Sequence, residues 1–188
     1  MVNGEKPAVA IFGGSFDPPH AGHQAIVRKA LEVLDIDTLL VVPAYLNPFK
    51  QTSLADASVR LQWCRALFDS IPNVHVDDYE IRQGRSTTTV ESVKHFQKRY
   101  DVKYLIIGSD NLSTLTQWHA FEWLNSHIIW VIATRKGHKI ETGALKRWKI
   151  LEIDADVSST QIRQSGTLEH VDTRISETVK KILKGQPS

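Results

Sequence analysis

Cysteine is nearly absent from this sequence, since Cys64 is the only one among 188 residues. A single thiol cannot form a disulfide within the chain, so nothing in the composition requires an oxidising compartment. Long apolar runs are also absent. The longest, at residues 128–133, is far shorter than the roughly 20 residues of a bilayer-spanning helix, and the first residues lack the apolar stretch of a secretory signal. These absences predict a cytoplasmic protein with no membrane partner.

An excess of charge is missing as well, because 23 basic and 21 acidic residues leave a formal net charge of +2. A balance this close to zero gives no reason to expect a nucleic-acid partner, although it leaves an anionic small molecule open as substrate. A hydrophobic fraction of 41% is ordinary for a globular protein. The length predicts one domain over residues 1–188, with a core at about 8–184 and a loose tail at 185–188.

Short apolar runs rich in β-branched residues alternate with longer stretches of helical periodicity. The predicted strands are residues 8–12, 38–42, 74–78, 104–108, 128–133 and 150–153. A first helix is predicted to begin near His20 and His23, with an apolar face within residues 26–34, and further helices are predicted at residues 57–68, 88–100 and 171–183. This alternation predicts a single-domain α/β fold, a doubly wound, Rossmann-like parallel sheet with helices on both faces. The amphipathic last helix could pack on its own domain or on a second copy, which leaves a homo-oligomer open.

Ligands of such sheets bind outside the carboxyl ends of the strands, so the residues after each strand are the candidate ligand-binding residues. The first strand runs into G-G-S-F-D-P-P-H-A-G-H, residues 13–23. Its glycines let a ligand approach the backbone, and His20 and His23 lie on the first turn of the following helix, where both can face a phosphate. Two alternatives are a pair of loop histidines satisfied by the protein, and a metal site that adds Asp17.

Two further segments follow strands and carry groups that suit a nucleotide. V-S-S-T-Q-I-R, residues 157–163, opens a short helix with hydroxyl side chains and places Arg163 one turn further on, where its fork of donors can reach phosphate. I-I-G-S-D-N-L, residues 106–112, places Asp110 where a ribose hydroxyl could bind. Each segment could equally serve only as the cap of its own helix.

The first of these motifs resembles the nucleotidyltransferase pattern (S/T)-F-D-x-x-H-x-G-H, and its double glycine and D-P-P-H are similar to the bacterial nicotinate-nucleotide adenylyltransferases. V-S-S-T-Q-I-R is similar to the family's I-S-S-T-x-I-R, and the segment at Asp110 to its G-(A/S)-D. The resemblance implies that His20, His23 and Arg163 are catalytic and contact the ATP phosphates. It implies a set of ATP-binding residues at Gly13, Gly14, Ser15, Phe16, Gly108, Asp110, Ser158, Ser159, Thr160 and Ile162.

For the second substrate, the resemblance implies that Lys50, Thr88 and Trp118 bind a pyridine mononucleotide. Trp118 matches the family's tryptophan that stacks on the pyridine ring, and backbone amides at Thr88 help to read the ring carboxylate. Two loops depart from the family pattern, because Phe49 stands where P-x-x-x-P-P-H-K has histidine and Thr87 stands where E-x-x-R-x-G-x-S-Y-T has tyrosine. The departures put the packing around the acceptor ring in doubt.

The function that the resemblance implies is transfer of the adenylyl group of ATP to nicotinate mononucleotide, which gives nicotinate adenine dinucleotide and pyrophosphate. Mg²⁺ is expected with ATP and without dedicated protein ligands. If the two histidines act as cations, activity should fall as pH rises through their pKa values. The alternatives are pantetheine-phosphate adenylyltransferase, a cytidylyltransferase, an enzyme that prefers nicotinamide mononucleotide, and a nucleotide-binding regulator without turnover.

Overall fold

Six strands and seven α-helices build the part of the chain that the computed structural model describes, which is residues 5–46, 53–135, 139–154 and 157–185. The strands are β1 (Ala8–Gly14), β2 (Thr38–Pro43), β3 (Val74–Val76), β4 (Asp101–Gly108), β5 (Ile129–Arg135) and β6 (Trp148–Ile153). The helices are α1 (Ala21–Val33), α2 (Ala57–Phe68), α3 (Tyr79–Arg82), α4 (Thr89–Gln97), α5 (Phe121–His127), α6 (Ser159–Ser165) and α7 (Thr173–Leu183), with a 3₁₀-helix at Ser109–Gln117.

The strands form one parallel sheet in the order β3-β2-β1-β4-β5-β6. The chain first winds outward from β1 to β3 and then returns to place β4 on the other side of β1. Strand order therefore reverses between β1 and β4, and the carboxyl ends of these two strands open a crevice at that point. This arrangement confirms the fold predicted from the alternating pattern.

Two apolar cores cover the two faces of the sheet, because successive side chains of a strand point to opposite faces. In β1, Ala10 and Phe12 face a core formed with α1, α2 and α7, whereas Val9 and Ile11 face a core formed with α4, α5 and the 3₁₀-helix. Each fully buried aliphatic side chain contributes roughly 1.5–3 kcal/mol to folding. The continuous apolar strands that the sequence shows are thus required by burial on both faces.

The last helix packs on its own domain. Ile175 and Val179 of α7 are buried in the same core as α1 and α2. Asp172 caps the helix by accepting the N–H of Arg174 at 3.0 Å, and its carboxylate also accepts the side-chain amide of Gln24 in α1 at 3.1 Å. Hydrogen bonds from Arg174 hold the pKa of Asp172 well below its usual value. A homo-oligomer stays a prediction, but the apolar face of α7 is already used within the chain.

Several element bounds differ from the prediction. β3 ends at Val76, and β4 begins at Asp101, three residues earlier than predicted. α4 ends at Gln97, and α7 begins at Thr173, because Asp172 takes the capping position and Val171 packs into the core ahead of the helix. Within the described ranges, no helix is long and apolar enough to cross a membrane.

Candidate functional site

A cleft of about 870 Å³ opens at the carboxyl ends of β1 and β4. It is bounded by the loop between β1 and α1, the 3₁₀-helix after β4, the start of α4 and the start of α6. The cleft brings together most of the predicted site residues from segments far apart in the chain. Those that line it are Gly13, Gly14, Ser15, Phe16, His20, His23, Thr88, Gly108, Asp110, Trp118, Ser158, Ser159 and Thr160.

Two predicted site residues, Ile162 and Arg163, are not among the lining residues, and a third falls outside the described part of the chain. Ile162 is almost fully buried in the core under α1, so its side chain anchors α6 and does not face the cleft. Arg163 lies at the edge of the cleft, where its guanidinium donates to the backbone carbonyl of Asp17 at 2.6 Å and to Oγ1 of Thr160 at 3.1 Å. Lys50 lies outside the described residues, as does Phe49.

The loop between β1 and α1 is fixed from both sides. The Asp17 carboxylate accepts the N–H groups of Leu54 and Ala55 at 2.7 and 3.0 Å. From the other side, Oγ of Ser159 donates to the carbonyl of Pro18 at 2.9 Å, which ties the start of α6 to this loop. Because both Asp17 oxygens already accept backbone protons, this carboxylate serves to hold the loop. The described residues contain no group of three potential metal ligands.

The rings of the two histidines lie against each other at the start of α1, tilted with respect to one another. Their ring centroids are 3.8 Å apart with an interplanar angle of 36°. His20 is the N-cap, and its Nδ1 accepts the N–H of Gly22 at 3.2 Å, while Nδ1 of His23 accepts the N–H of His20 at 3.1 Å. A neutral imidazole whose Nδ1 accepts must carry its proton on Nε2. The hydrogen-bond network therefore assigns both rings an Nε2–H donor.

Neither histidine is a cation in the free protein at neutral pH. Burial, followed by the proximity of His170, lowers the pKa of His20 to about 4. Burial, followed by the proximity of His20, lowers the pKa of His23 well below its usual value. The free site thus offers two neutral N–H donors in place of the two charges that the cation hypothesis requires, although a bound polyphosphate would raise both pKa values.

Asp110 follows β4 in the first turn of the 3₁₀-helix, and its side chain does not cap that helix. Its carboxylate packs directly against Gly108, where an added Cβ would collide with Oδ1. Nδ2 of Asn111 donates to Oδ1 of Asp110 and to the carbonyl of Gly108, each at 3.2 Å. Gly108 is therefore required for the position of this carboxylate in the cleft.

Trp118 lines the cleft at the end of the 3₁₀-helix. Its ring packs edge-on against Trp130, with centroids 6.2 Å apart. Trp130 is fully buried and donates its indole N–H to Asn125 at 3.1 Å. The indole N–H of Trp118 is also buried and has no acceptor among the described residues. A fixed aromatic ring at the cleft wall is the arrangement that stacking on a flat ligand requires.

At the start of α4, the N–H of Thr88 has an acceptor within the protein, whereas that of Thr89 has none among the described residues. The N–H and the hydroxyl of Thr88 both donate to Oε2 of Glu91, at 2.8 and 2.9 Å, and Arg85 donates to the other oxygen at 2.7 Å. These hydrogen bonds, that of Arg85 first, lower the pKa of Glu91 to about 2. Thr89, the first residue of α4, also lines the cleft, and its N–H has no acceptor among the described residues.

Sequence reasoning assigned no role to two charged residues near the cleft, the partly buried Glu80 and the buried Arg60. Glu80 lines it and accepts the hydroxyl of Ser92 at 2.5 Å, and burial raises its pKa to about 7 against the effect of that hydrogen bond. Arg60 in α2 is 1% exposed. Charged residues inside amphipathic helices normally lie on the solvated face, so the helical pattern carried no signal for Arg60. Glu80 begins the segment compared with E-x-x-R-x-G-x-S-Y-T, but the sequence assigned it no role.

The comparisons with known proteins agree with this geometry. The family model described as cytidylyltransferase-like matches residues 11–165. A protein of Sulfurovum sp. (strain NBC37-1), named probable nicotinate-nucleotide adenylyltransferase, is 65% identical over 184 residues, covering 98% of each chain. A Campylobacter jejuni (strain RM1221) protein of the same name is 44% identical, covering 92% of this chain and 94% of its own.

Among solved structures, Plasmodium falciparum nicotinic acid mononucleotide adenylyltransferase complexed with NaAD matches with a TM-score of 0.72 and 19% identity, over 95% of each chain. The same enzyme complexed with APC matches with a TM-score of 0.67 and 18% identity. At these identities the structures establish the fold, and the sequence relatives establish the family. The chain belongs to the cytidylyltransferase-like family and, within it, to the nicotinate-nucleotide adenylyltransferases.

Proposed function

We propose that this protein transfers the adenylyl group of ATP to nicotinate mononucleotide, which gives nicotinate adenine dinucleotide and pyrophosphate. The observation that carries the proposal is one cleft lined by the His20–His23 pair, the Asp110 carboxylate and the Trp118 ring. These groups suit a polyphosphate, a ribose and a flat heteroaromatic ring. The 65% identity to a protein named for this activity supports the same substrates.

The reaction needs no general base. An oxygen of the mononucleotide phosphate, already ionised at neutral pH, attacks the α-phosphorus of ATP as the bond to the bridging oxygen of pyrophosphate breaks. The catalytic task is then to align the two substrates and to stabilise the negative charge that develops on the leaving group. His20 and His23 do this by donating Nε2–H to phosphate oxygens, since the hydrogen-bond network reserves both Nδ1 atoms for backbone N–H groups.

ATP is held by groups on three segments. The backbone of Gly13, Gly14, Ser15 and Phe16 contacts the nucleotide, the Asp110 carboxylate accepts a ribose hydroxyl, and the Ser158, Ser159 and Thr160 segment lies beside the phosphates with Arg163 at its edge. The described residues offer no cluster of three acidic or histidine side chains that could bind Mg²⁺ directly. Mg²⁺ would be held by ATP oxygens and water, where it neutralises phosphate charge.

The acceptor lies at the other end of the cleft. Trp118 stacks on the pyridine ring, which contributes about 0.5–1.5 kcal/mol beyond burial of area. The free N–H of Thr89, beside the Thr88 of the sequence proposal, donates to the ring carboxylate. Lys50 stays a proposed partner of this anionic substrate on sequence grounds.

The test is pyrophosphate release from ATP and Mg²⁺ with nicotinate mononucleotide, nicotinamide mononucleotide or phosphopantetheine as acceptor. The proposal expects kcat/KM at least tenfold higher for the acid than for the amide, which is about 1.4 kcal/mol. Turnover with phosphopantetheine but with neither mononucleotide would show that the protein is a pantetheine-phosphate adenylyltransferase. Binding of ATP without turnover of any acceptor would identify a regulator.

A further inference from the structure

The guanidinium of Arg60 lies beneath the cleft and makes four hydrogen bonds, all to backbone carbonyls. Nε donates to Ala55 at 3.1 Å, Nη1 donates to Ser15 and to Ala44 at 2.7 Å each, and Nη2 donates to Tyr45 at 2.6 Å. The side chain is almost completely buried. Burying a cation costs folding free energy unless its donors are satisfied. The four hydrogen bonds are therefore needed for the guanidinium to lie in this position.

The four carbonyls belong to three different segments. Ser15 lies in the loop after β1, Ala44 and Tyr45 lie in the loop after β2, and Ala55 precedes α2. Nη1 bridges the first two loops directly, because its two protons go to one carbonyl on each. A lysine ammonium in the same space has no fork of separated donors, so it cannot reproduce this bridge.

These contacts also set the direction of backbone N–H groups. In a trans peptide the C=O and the following N–H point in opposite directions. Because the carbonyl of Ser15 points at Arg60, the N–H of Phe16 points away from it, and both residues line the cleft. The N–H of Phe16 has no acceptor among the described residues. In the same way, the Ala44 carbonyl turns the N–H of Tyr45 away from the guanidinium.

The charge of Arg60 is balanced locally. Burial lowers the pKa of its guanidinium, whereas Asp17, Cys64 and Asp56 raise it, with Asp17 the largest of the three. Asp17 itself accepts the N–H groups of Leu54 and Ala55. The donors of the guanidinium are satisfied by carbonyls and the Asp17 carboxylate lies near enough to favour its charge, so the role of Arg60 is one of orientation.

We propose that Arg60 is a positioning residue that locks the ATP loop at Ser15–Phe16 to the acceptor loop at Ala44–Tyr45 and turns the N–H groups of both toward the substrates. The inference rests on the proposed function, which assigns Ser15 and Phe16 to ATP and Lys50, in the same sequence segment after β2 as Ala44 and Tyr45, to the acceptor. Through Arg60, α2 contributes to catalysis without contacting a substrate. Without the bridge, the nearest link between the two loops is the hydrogen bond from the Ala44 N–H to the Gly14 carbonyl at 2.9 Å. The residues beyond that link are then less well fixed, so the two reacting groups are held less well.

The test is Arg60→Lys, with Arg65→Lys as the matched control on the same helix. Arg65 is exposed and pairs at 3.4 Å with Asp78, away from the cleft. Steady-state kinetics with each substrate varied, together with circular dichroism to confirm folding, should show kcat/KM for both ATP and acceptor at least ~10-fold lower in R60K. R65K should stay within about twofold of wild type.

A purely structural role gives a different result. In that case, R60K melts at a lower temperature while its folded fraction keeps wild-type KM and kcat, and this overturns the proposal. If R60K does not fold, ¹⁵N-labelled wild-type protein provides the second measurement. The Phe16 amide resonance should shift on addition of a non-hydrolysable ATP analogue, and no shift overturns the proposal. Absence of turnover in the wild-type protein would instead refute the proposed function, leaving the ATP-analogue measurement to decide the role of Arg60.

Discussion

Acid should lower the free energy of unfolding of this protein in part because His20 becomes protonated. The variant His20→Asn should lack that part of the loss. In the folded state burial lowers the pKa of His20 from 6.5 to about 4. Between these two values the unfolded chain binds more protons at this position than the folded chain does. The free energy of unfolding therefore falls as pH falls from 6.5 toward 4, and above pH 6.5 the residue adds no pH dependence.

The size of the effect follows from the two pKa values. The difference corresponds to about 3 kcal/mol when the titration is complete, and to about 2 kcal/mol at pH 5, where most unfolded chains and few folded ones are protonated at His20. His20→Asn keeps an acceptor for the N–H of Gly22, because asparagine is a favoured N-cap. It removes the titrating group without removing the cap.

Urea unfolding of wild type and H20N at pH 7.5 and pH 5.0 measures the difference. Other groups titrate in both proteins, so only the comparison of the two pH effects counts. The wild-type free energy of unfolding should drop by about 2 kcal/mol more than that of H20N, which is a midpoint change of about 1 M urea for a slope near 2 kcal/mol/M. Parallel losses in the two proteins would refute a lowered pKa at His20.

Three further predictions concern the substrates. Gly108→Ala should displace Asp110 and raise KM for ATP by about tenfold, as expected for loss of a hydrogen bond to a charged group; an unchanged KM would contradict the ribose role. Trp118→Ala should raise KM for the acceptor by about twofold to tenfold and leave KM for ATP unchanged. Glu80 becomes negatively charged as pH rises through about 7. KM for an anionic acceptor should therefore rise between pH 6 and 8 in the wild type and change less in Glu80→Gln. Identical pH profiles of KM would show that Glu80 does not affect acceptor binding.

The sequence predicted much of the site because short motifs carry both chemistry and position. Two glycines, two histidines and a capped helix start follow strands, and the parallel sheet brings such strand ends to one edge. The prediction was less complete where a residue's surroundings decide its role. Ile162 belongs to a matching motif, yet its side chain lies in the core. Thr88 stays a predicted binding residue, but its N–H already donates to Glu91, whereas the N–H of Thr89 has no acceptor among the described residues.

By itself the sequence determined the fold class and the order of the elements, because both depend on the local alternation of apolar strands and amphipathic helices. It also indicated which segments meet at the cleft, because their motifs follow strands whose carboxyl ends share one edge of the sheet. Only the tertiary structure decided the charge of the histidines, because burial sets their pKa values. Only the tertiary structure revealed Arg60 as the bridge between two loops, because its four carbonyl partners lie on segments that meet only in the folded chain.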